Sequence, residues 1–228
     1  GNTAVGSGAL QDTTTASNNV AVGKDALKTN TTGTRNTAVG SLTLEDNTTG
    51  NDNTGLGQYA LSANTTGTGH VAIGTNASDA ITTNNYTTAV GFNVLTQNTS
   101  SNVVGVGAYA LTANTSGDFN TAVGYNSLGA NTTGSNNTAV GHTTLAINTT
   151  GSANVAVGLQ ALNQNNGSSN VAIGQNALYL NTSASNNTAV GHNSLGANTG
   201  GNNTAIGANA SDANTSGTNN AAIGFNAL

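Results

Sequence analysis

At 228 residues the chain is long enough for one or two globular domains, but charged residues make up only 5% of it and Pro, Cys, Met and Trp are absent, a composition unlike that of an ordinary enzyme. The net charge is −5, and the three basic residues, Lys24, Lys28 and Arg35, all lie near the start, so most of the chain has no cation to hold a phosphate backbone; this argues against a nucleic-acid partner. Without Cys there are no disulfide staples or zinc–thiolate sites, and no apolar run approaches the roughly 20 residues of a membrane span.

The first element, Asn2-Thr3-Ala4-Val5-Gly6, opens a repeat that occurs fourteen times. Its closing glycines are Gly6, Gly23, Gly40, Gly57, Gly74, Gly91, Gly107, Gly124, Gly141, Gly158, Gly174, Gly191, Gly207 and Gly224, spaced by 17 residues or, in three places, 16. In outline the unit runs N-T-A-V-G-x-x-A-L-x-x-N-T-T-G-x-x, as in Asn120 to Asn136. The β-branched second and fourth places predict a short strand. Gly predicts a turn, Ala-Leu a second short strand, and Asn-Thr-Thr-Gly a second turn. The regular aliphatics argue against the disorder that an Asn-, Thr- and Gly-rich chain otherwise suggests, and no helical period survives across a unit. The expected fold is all-β, a parallel β-solenoid (β-roll) of about 14 coils spanning 1–228 as a single repeat array. Coils stacked at about 4.8 Å would make a rod on the order of 65 Å long.

The fourth place is always aliphatic, the third is Ala or Gly, and the ninth is Leu except at Ser78 and Ser211. Such restriction predicts buried, tight positions. Strand alternation separates the second and fourth places from the third and fifth. One set must fill the coil, and the other, nearly free of charge, is expected to pack on another chain or layer. A parallel homotrimer is the natural closed form for a fibre. Asn recurs at the first and twelfth places, where stacked amides predict hydrogen-bond ladders.

The repeated Thr-Ala-Val/Ile-Gly element followed by an Ala-Leu or Ala-Ser step resembles the head repeat of trimeric autotransporter adhesins of the YadA-like type, over the whole chain. Similar repeats occur in phage tail-fibre shafts. The coil here is longer by its Asn-Thr-Thr-Gly turn, seen at Asn47 to Gly50. The resemblance implies a rigid, trimeric stalk or head at a cell surface or on a virion, which holds a binding tip away from a surface or itself adheres to glycan or matrix. It supplies no catalytic residues.

Along the chain the eight carboxylates share no coil position and Arg35 is the only Arg, so no catalytic groove of acids and bases is expected. Nor do aspartates stack as in calcium-binding solenoids; Asp79 and Asp212 sit in matching but distant contexts. His142 and His192 share a place three coils apart, too far for one metal ion, and no cofactor is expected. Asn30, Asn47, Asn64, Asn98, Asn114, Asn131, Asn148, Asn181 and Asn214 match the N-x-S/T pattern of glycan acceptors, although Asn and Thr also make good turns. Tyr59, Phe92, Tyr109, Tyr125 and Phe225 follow the recurring Gly and are candidate surface contacts, against sugars or a subunit seam. The expectation is a non-enzymatic structural or adhesive fibre segment cut from a longer extracellular protein, whose partners are copies of itself and a host-cell glycan or matrix. A self-assembling filament or sheath is the alternative. An ice-binding solenoid, suggested by the Thr column at Thr31, Thr48 and Thr65, is disfavoured because adjacent Thr31 and Thr32 point apart.

Overall fold

A computed structural model describes all residues from Gly1 to Leu228. The chain is an all-β parallel β-solenoid, and each repeat is one coil carrying one three-residue strand. The coils fall into two compact units, Gly1–Ser116 and Gly117–Leu228. In the first, β1 (Thr3–Val5), β2 (Val20–Val22), β3 (Thr37–Val39), β4 (Thr54–Leu56), β5 (Val71–Ile73), β6 (Thr88–Val90) and β7 (Val104–Val106) pair in chain order, all parallel. In the second, β8 (Thr121–Val123), β9 (Thr138–Val140), β10 (Val155–Val157), β11 (Val171–Ile173), β12 (Thr188–Val190), β13 (Thr204–Ile206) and β14 (Ala221–Ile223) do the same.

Register is set by repetition: Ala21 sits beside Ala4 on one side and Ala38 on the other. The 16-residue coils keep this register because the missing residue comes out of the turn after the twelfth-place Asn. Asn98, Asn165 and Asn198 each donate to a carbonyl two residues on, at Ser100, Gly167 and Gly200. In a 17-residue coil the same bond spans three, as from Asn47 to Gly50.

The second strand expected around Ala-Leu does not form. Two tight turns follow each other there: in the fourth coil the Ala60 N–H donates to the Gly57 carbonyl (3.2 Å) and the Asn64 N–H to the Leu61 carbonyl (3.1 Å). The seventh and ninth places are left-handed, with φ 60° at Tyr59 and 54° at Leu61. That conformation costs a residue with a Cβ about 1–2 kcal/mol. Burial of the whole Leu61 side chain contributes about 1.5–3 kcal/mol against it, and the Leu61 N–H also donates to Ala77 of the next coil at 3.0 Å. Burial and bonding outweigh the strain, so the Leu column marks turns rather than a strand.

The interior is narrow. Per coil it holds the third-place Ala, the eighth- and ninth-place side chains and the two Asn, as with Ala38, Thr43, Leu44, Asn36 and Asn47, all fully buried. The fourth-place aliphatics, expected to be tight and buried either inside the coil or against another chain or layer, point outward: Leu56 is 47% exposed and Ile206 42%. In a three-residue strand only the middle side chain can face in, and the small interior accepts Ala there. The fifth-place Gly is imposed twice over: Gly40 has φ +140°, and a Cβ on it would lie 2.7 Å from the Gly57 carbonyl oxygen. The two third-place glycines answer bulk in the preceding coil, since a Cβ on Gly105 would meet Val94 Cγ1 at 2.7 Å and one on Gly55 would meet Thr43 Cγ2 at 2.6 Å.

The Asn ladders form, in two ways. At the twelfth place they run amide to amide, Asn64 Nδ2 donating to Asn47 Oδ1 and Asn47 Nδ2 to Asn30 Oδ1, both at 2.8 Å. At the first place the side chain serves the backbone: Asn36 Oδ1 accepts the Asn53 N–H of the next coil, while Asn36 Nδ2 donates to the Gly50 carbonyl of its own coil. The buried amides thus close each coil and bond it to its neighbour, so few of their polar groups are left to cost free energy unpaired.

The fifth coil is rewired. His70 takes the first place: Nε2 lies 2.8 Å from the Asn84 carbonyl and Nδ1 accepts the Thr87 N–H at 3.2 Å. Imidazole thereby does the work of both ends of an Asn amide. Ser78 replaces Leu at the ninth place and Ile81 replaces Asn at the twelfth, both fully buried, so Ile81 returns the apolar volume that Ser78 gives up.

Candidate functional site

Two features of the surface can engage a partner, and the first is the outer strand face. Its second and fourth places are Thr, Val, Ile, Leu or Ala in every coil, with no charge. Val71 and Ile73 in the first unit and Val155, Val157 and Ile173 in the second are all more than a third exposed. Seven strands at about 4.8 Å by three residues at about 3.3 Å give each unit a face of roughly 300 Å², the size at which an apolar patch on a soluble protein becomes informative.

The second feature is the line of rings beside the recurring Gly. Phe92 and Tyr109 of the first unit meet edge to face, with centroids 5.6 Å apart. In the second unit Tyr125 stacks on His142, with centroids 5.2 Å apart and planes within 15°. Tyr59, half-buried Tyr109 and exposed Phe225 complete the five rings singled out from sequence, but Tyr59 and Phe225 lie coils away from those pairs. Sequence reading passed over Tyr86 and Phe119, both well exposed and both left-handed with φ 57°. The signal was available: each interrupts a seventeenth-place column that Asn, Asp or Arg otherwise fills in many coils.

The nine N-x-S/T asparagines singled out from sequence lie in the inner ladder, whereas the exposed Asn136, Asn166, Asn186 and Asn202, which match the same pattern, do not. Eight of the nine are fully buried, Asn30, Asn47, Asn64, Asn98, Asn114, Asn131, Asn148 and Asn181, and their Nδ2 groups are donors inside the coil, as at Asn30, Asn131 and Asn148. Only Asn214 is partly exposed, and it donates to the Gly217 carbonyl. A glycan has no place to stand on the buried eight in the folded coil. The adjacent Thr column is also engaged: the hydroxyls of Thr31 and Thr48 each donate to the matching carbonyl of the next coil, Thr48 and Thr65, at 3.0 Å.

The basic cluster is paired. Arg35 grips Asp52 of the next coil through Nε (2.6 Å) and Nη2 (2.8 Å), a forked bond that holds the Asp52 carboxyl below its ordinary pKa. Lys28 and Lys24 both face Asp25, at 3.5 and 3.8 Å. Burial pushes the Asp79 carboxyl up. The imidazole of His70 is held down at about 4, mainly by burial. No three His, Asp or Glu side chains converge anywhere in the chain.

A groove of about 450 Å³ indents the second unit, where the small Gly196 and Ala197 lie between Tyr179 and Leu180 of the preceding coil and Asp212 of the following one. Sequence reading missed Tyr179 because the Ala-Leu-Tyr-Leu context looked like strand. No known family model matches the chain, and no curated protein matches it.

Proposed function

We propose that this chain is a structural, non-catalytic segment of an extracellular adhesive fibre, of the surface-adhesin or tail-fibre kind, in which copies of the solenoid pack side by side through their strand faces, a homotrimer being the simplest closed arrangement. The observation that carries this is the uncharged Thr/Val face repeated in every coil, with side chains such as Val71, Ile73, Val155 and Ile173 exposed on it. A partner of such a face must be apolar and must share its one-coil pitch, and a second copy in register satisfies both conditions. The roughly 800 Å² per partner of a stable interface is within reach only if the flanking turns join the strand face, which favours close lateral packing.

The test needs no ligand: light scattering and analytical ultracentrifugation of the purified chain, with Ile73→Lys and Ile173→Lys as variants. The wild type should be a discrete oligomer and each Lys variant a folded monomer or smaller assembly. A wild type that stays monomeric at high concentration would sink the proposal.

A second reading gains from one observation. Ice binding was disfavoured for want of two parallel ranks on one flat strand, yet the second and fourth places provide two such ranks, Thr88 with Val90 and Thr138 with Val140 among them. The face cannot be covered by copies and free to meet ice at once. Thermal hysteresis together with a monomeric state would transfer the assignment to ice binding.

A further inference from the structure

The groove of the second unit lies on the turns, away from the strand face, and what it does is independent of whether copies of the chain assemble. Its shape follows from one local departure in the repeat. The tenth and eleventh places carry Tyr179 and Leu180 in one coil, Gly196 and Ala197 in the next, and Asp212 and Ala213 in the one after. Removing two side chains from the middle coil leaves a slot two coil steps wide, about 10 Å between the centres of its walls. One six-membered ring in van der Waals contact with both walls fills that width.

The chemistry of the walls is mixed in a particular way. On one side stand the half-buried Tyr179 ring and Leu180, which is 38% exposed. On the other is the exposed carboxylate of Asp212. Along the rim the seventh-place amides of Gln160, Asn176 and Asn193 add both donors and acceptors, and the Asn176 Oδ1 is buried with no hydrogen-bond partner. The second unit contains no Lys or Arg at all, so nothing there compensates an anionic ligand.

The geometry points to a binding site for a neutral saccharide, with one pyranose ring stacked on Tyr179 over the Gly196–Ala197 floor and its hydroxyls shared among Asp212, Asn176 and Asn193. An aromatic face takes the C–H side of a sugar ring, and amides with a carboxylate take the hydroxyl edge. A single ring and one exposed carboxylate make a poor cage for an alkylammonium ion, which calls for several aromatic faces.

The experiment is saturation-transfer NMR on the full chain with methyl glycosides of glucose, galactose, mannose and N-acetylglucosamine, with the methyl glycoside of N-acetylneuraminic acid and choline as charged controls. At least one neutral glycoside should receive saturation, with a Kd on the order of 1 mM for one exposed ring, and both controls should be inert. Tyr179→Ala should abolish the transfer, whereas Tyr179→Phe should keep it. Gly196→Leu should abolish it by filling the floor; the tenth place accepts large side chains in other coils, such as Tyr179 itself, and a Cβ on Gly196 meets nothing closer than 3.3 Å, so the coil should fold, as circular dichroism would check. No transfer from any neutral glycoside, transfer that survives both Tyr179→Ala and Gly196→Leu, or preferential binding of choline or the N-acetylneuraminic acid glycoside would each overturn the assignment.

Discussion

Acidification from pH 7 to pH 5 should weaken the fifth coil through His70. The imidazole is fully buried, and its partners are the Asn84 carbonyl and the Thr87 N–H, while Asn53 Oδ1 accepts the backbone N–H of His70; none of these titrates. Only the neutral ring with its proton on Nε2 fits: it donates to Asn84 and accepts from Thr87. A second proton on Nδ1 would face the Thr87 N–H, donor against donor. Burial therefore holds the folded pKa at about 4 against an ordinary 6.5. The unfolded chain takes up a proton as the pH falls below 6.5 while the folded chain does not, so stability is complete above 6.5 and declines until the pH passes 4. A shift from 6.5 to about 4 is worth about 3 kcal/mol in all at 1.36 kcal/mol per pKa unit, and about 2 kcal/mol of it is lost by pH 5.

The assay is thermal unfolding of wild type and His70→Asn across pH 7 to 4. Asn is the residue this place carries in most coils, so the variant should fold and its ladder should be insensitive to pH in this range. A loss of about 2 kcal/mol corresponds to a Tm about 4–8 °C lower at pH 5 than at pH 7 for a chain of this size, seen in the wild type and not in the variant. Asp79 of the same coil works in the opposite sense, because its raised pKa means that acid relieves a buried charge; it is common to both proteins and drops out of the difference. Equal pH dependence of the two proteins would refute the reasoning.

Three further outcomes follow from the packing. Gly105→Ala should destabilise by about 1–3 kcal/mol through overpacking, since its Cβ would meet Val94 Cγ1 at 2.7 Å; adding Val94→Ala should restore much of that loss, a coupling that a double-mutant cycle in denaturant would measure. Asn47→Ala should cost about 1–3 kcal/mol by taking one of the two acceptors from the Asn64 amide, which keeps only Gly67, and the donor from Asn30 Oδ1. Asn47→Asp should be worse than Asn47→Ala by the same denaturant midpoint, because a buried carboxylate would confront the Asn30 Oδ1 and Gly50 carbonyl oxygens that now receive the amide.

The residue columns were legible from sequence because stacking repeats each error and each success in every coil. Gly at the fifth place and Ala at the third announce positions with no room for a Cβ or for more than one, and Gly40 and Ala38 bear that out. The ladders of Asn at the first and twelfth places were equally visible. What sequence could not supply was direction. Restricted aliphatics such as Val39 and Ile73 fit either face of the strand; only the radius of the coil decides which side of a three-residue strand faces in, and here they form an outer face held to one chemistry. The left-handed Leu61 was hidden because Leu is rarely found there without tertiary support, and that support comes from its neighbours in adjoining coils. The groove was hidden for a related reason: Tyr179 and Gly196 are unremarkable alone and acquire meaning only when stacking sets them one coil apart.

The coil inverts the usual division of labour, with amides inside and valines outside, and the inversion has a consequence in salt. The ladder amides carry no net charge, so screening leaves them unaffected, whereas an apolar strand face becomes more costly to hydrate in sulfate. Sodium chloride at moderate concentration should change neither stability nor assembly much in a chain whose formal ion pairs are confined to Lys24, Lys28 and Arg35. Ammonium sulfate should instead drive lateral association of the wild type at concentrations where the Ile173→Lys variant stays dispersed, although it stabilises the fold of both. Sedimentation velocity across both salts reads the difference: association promoted equally by the two would mean that charge, and not the valine face, brings the copies together.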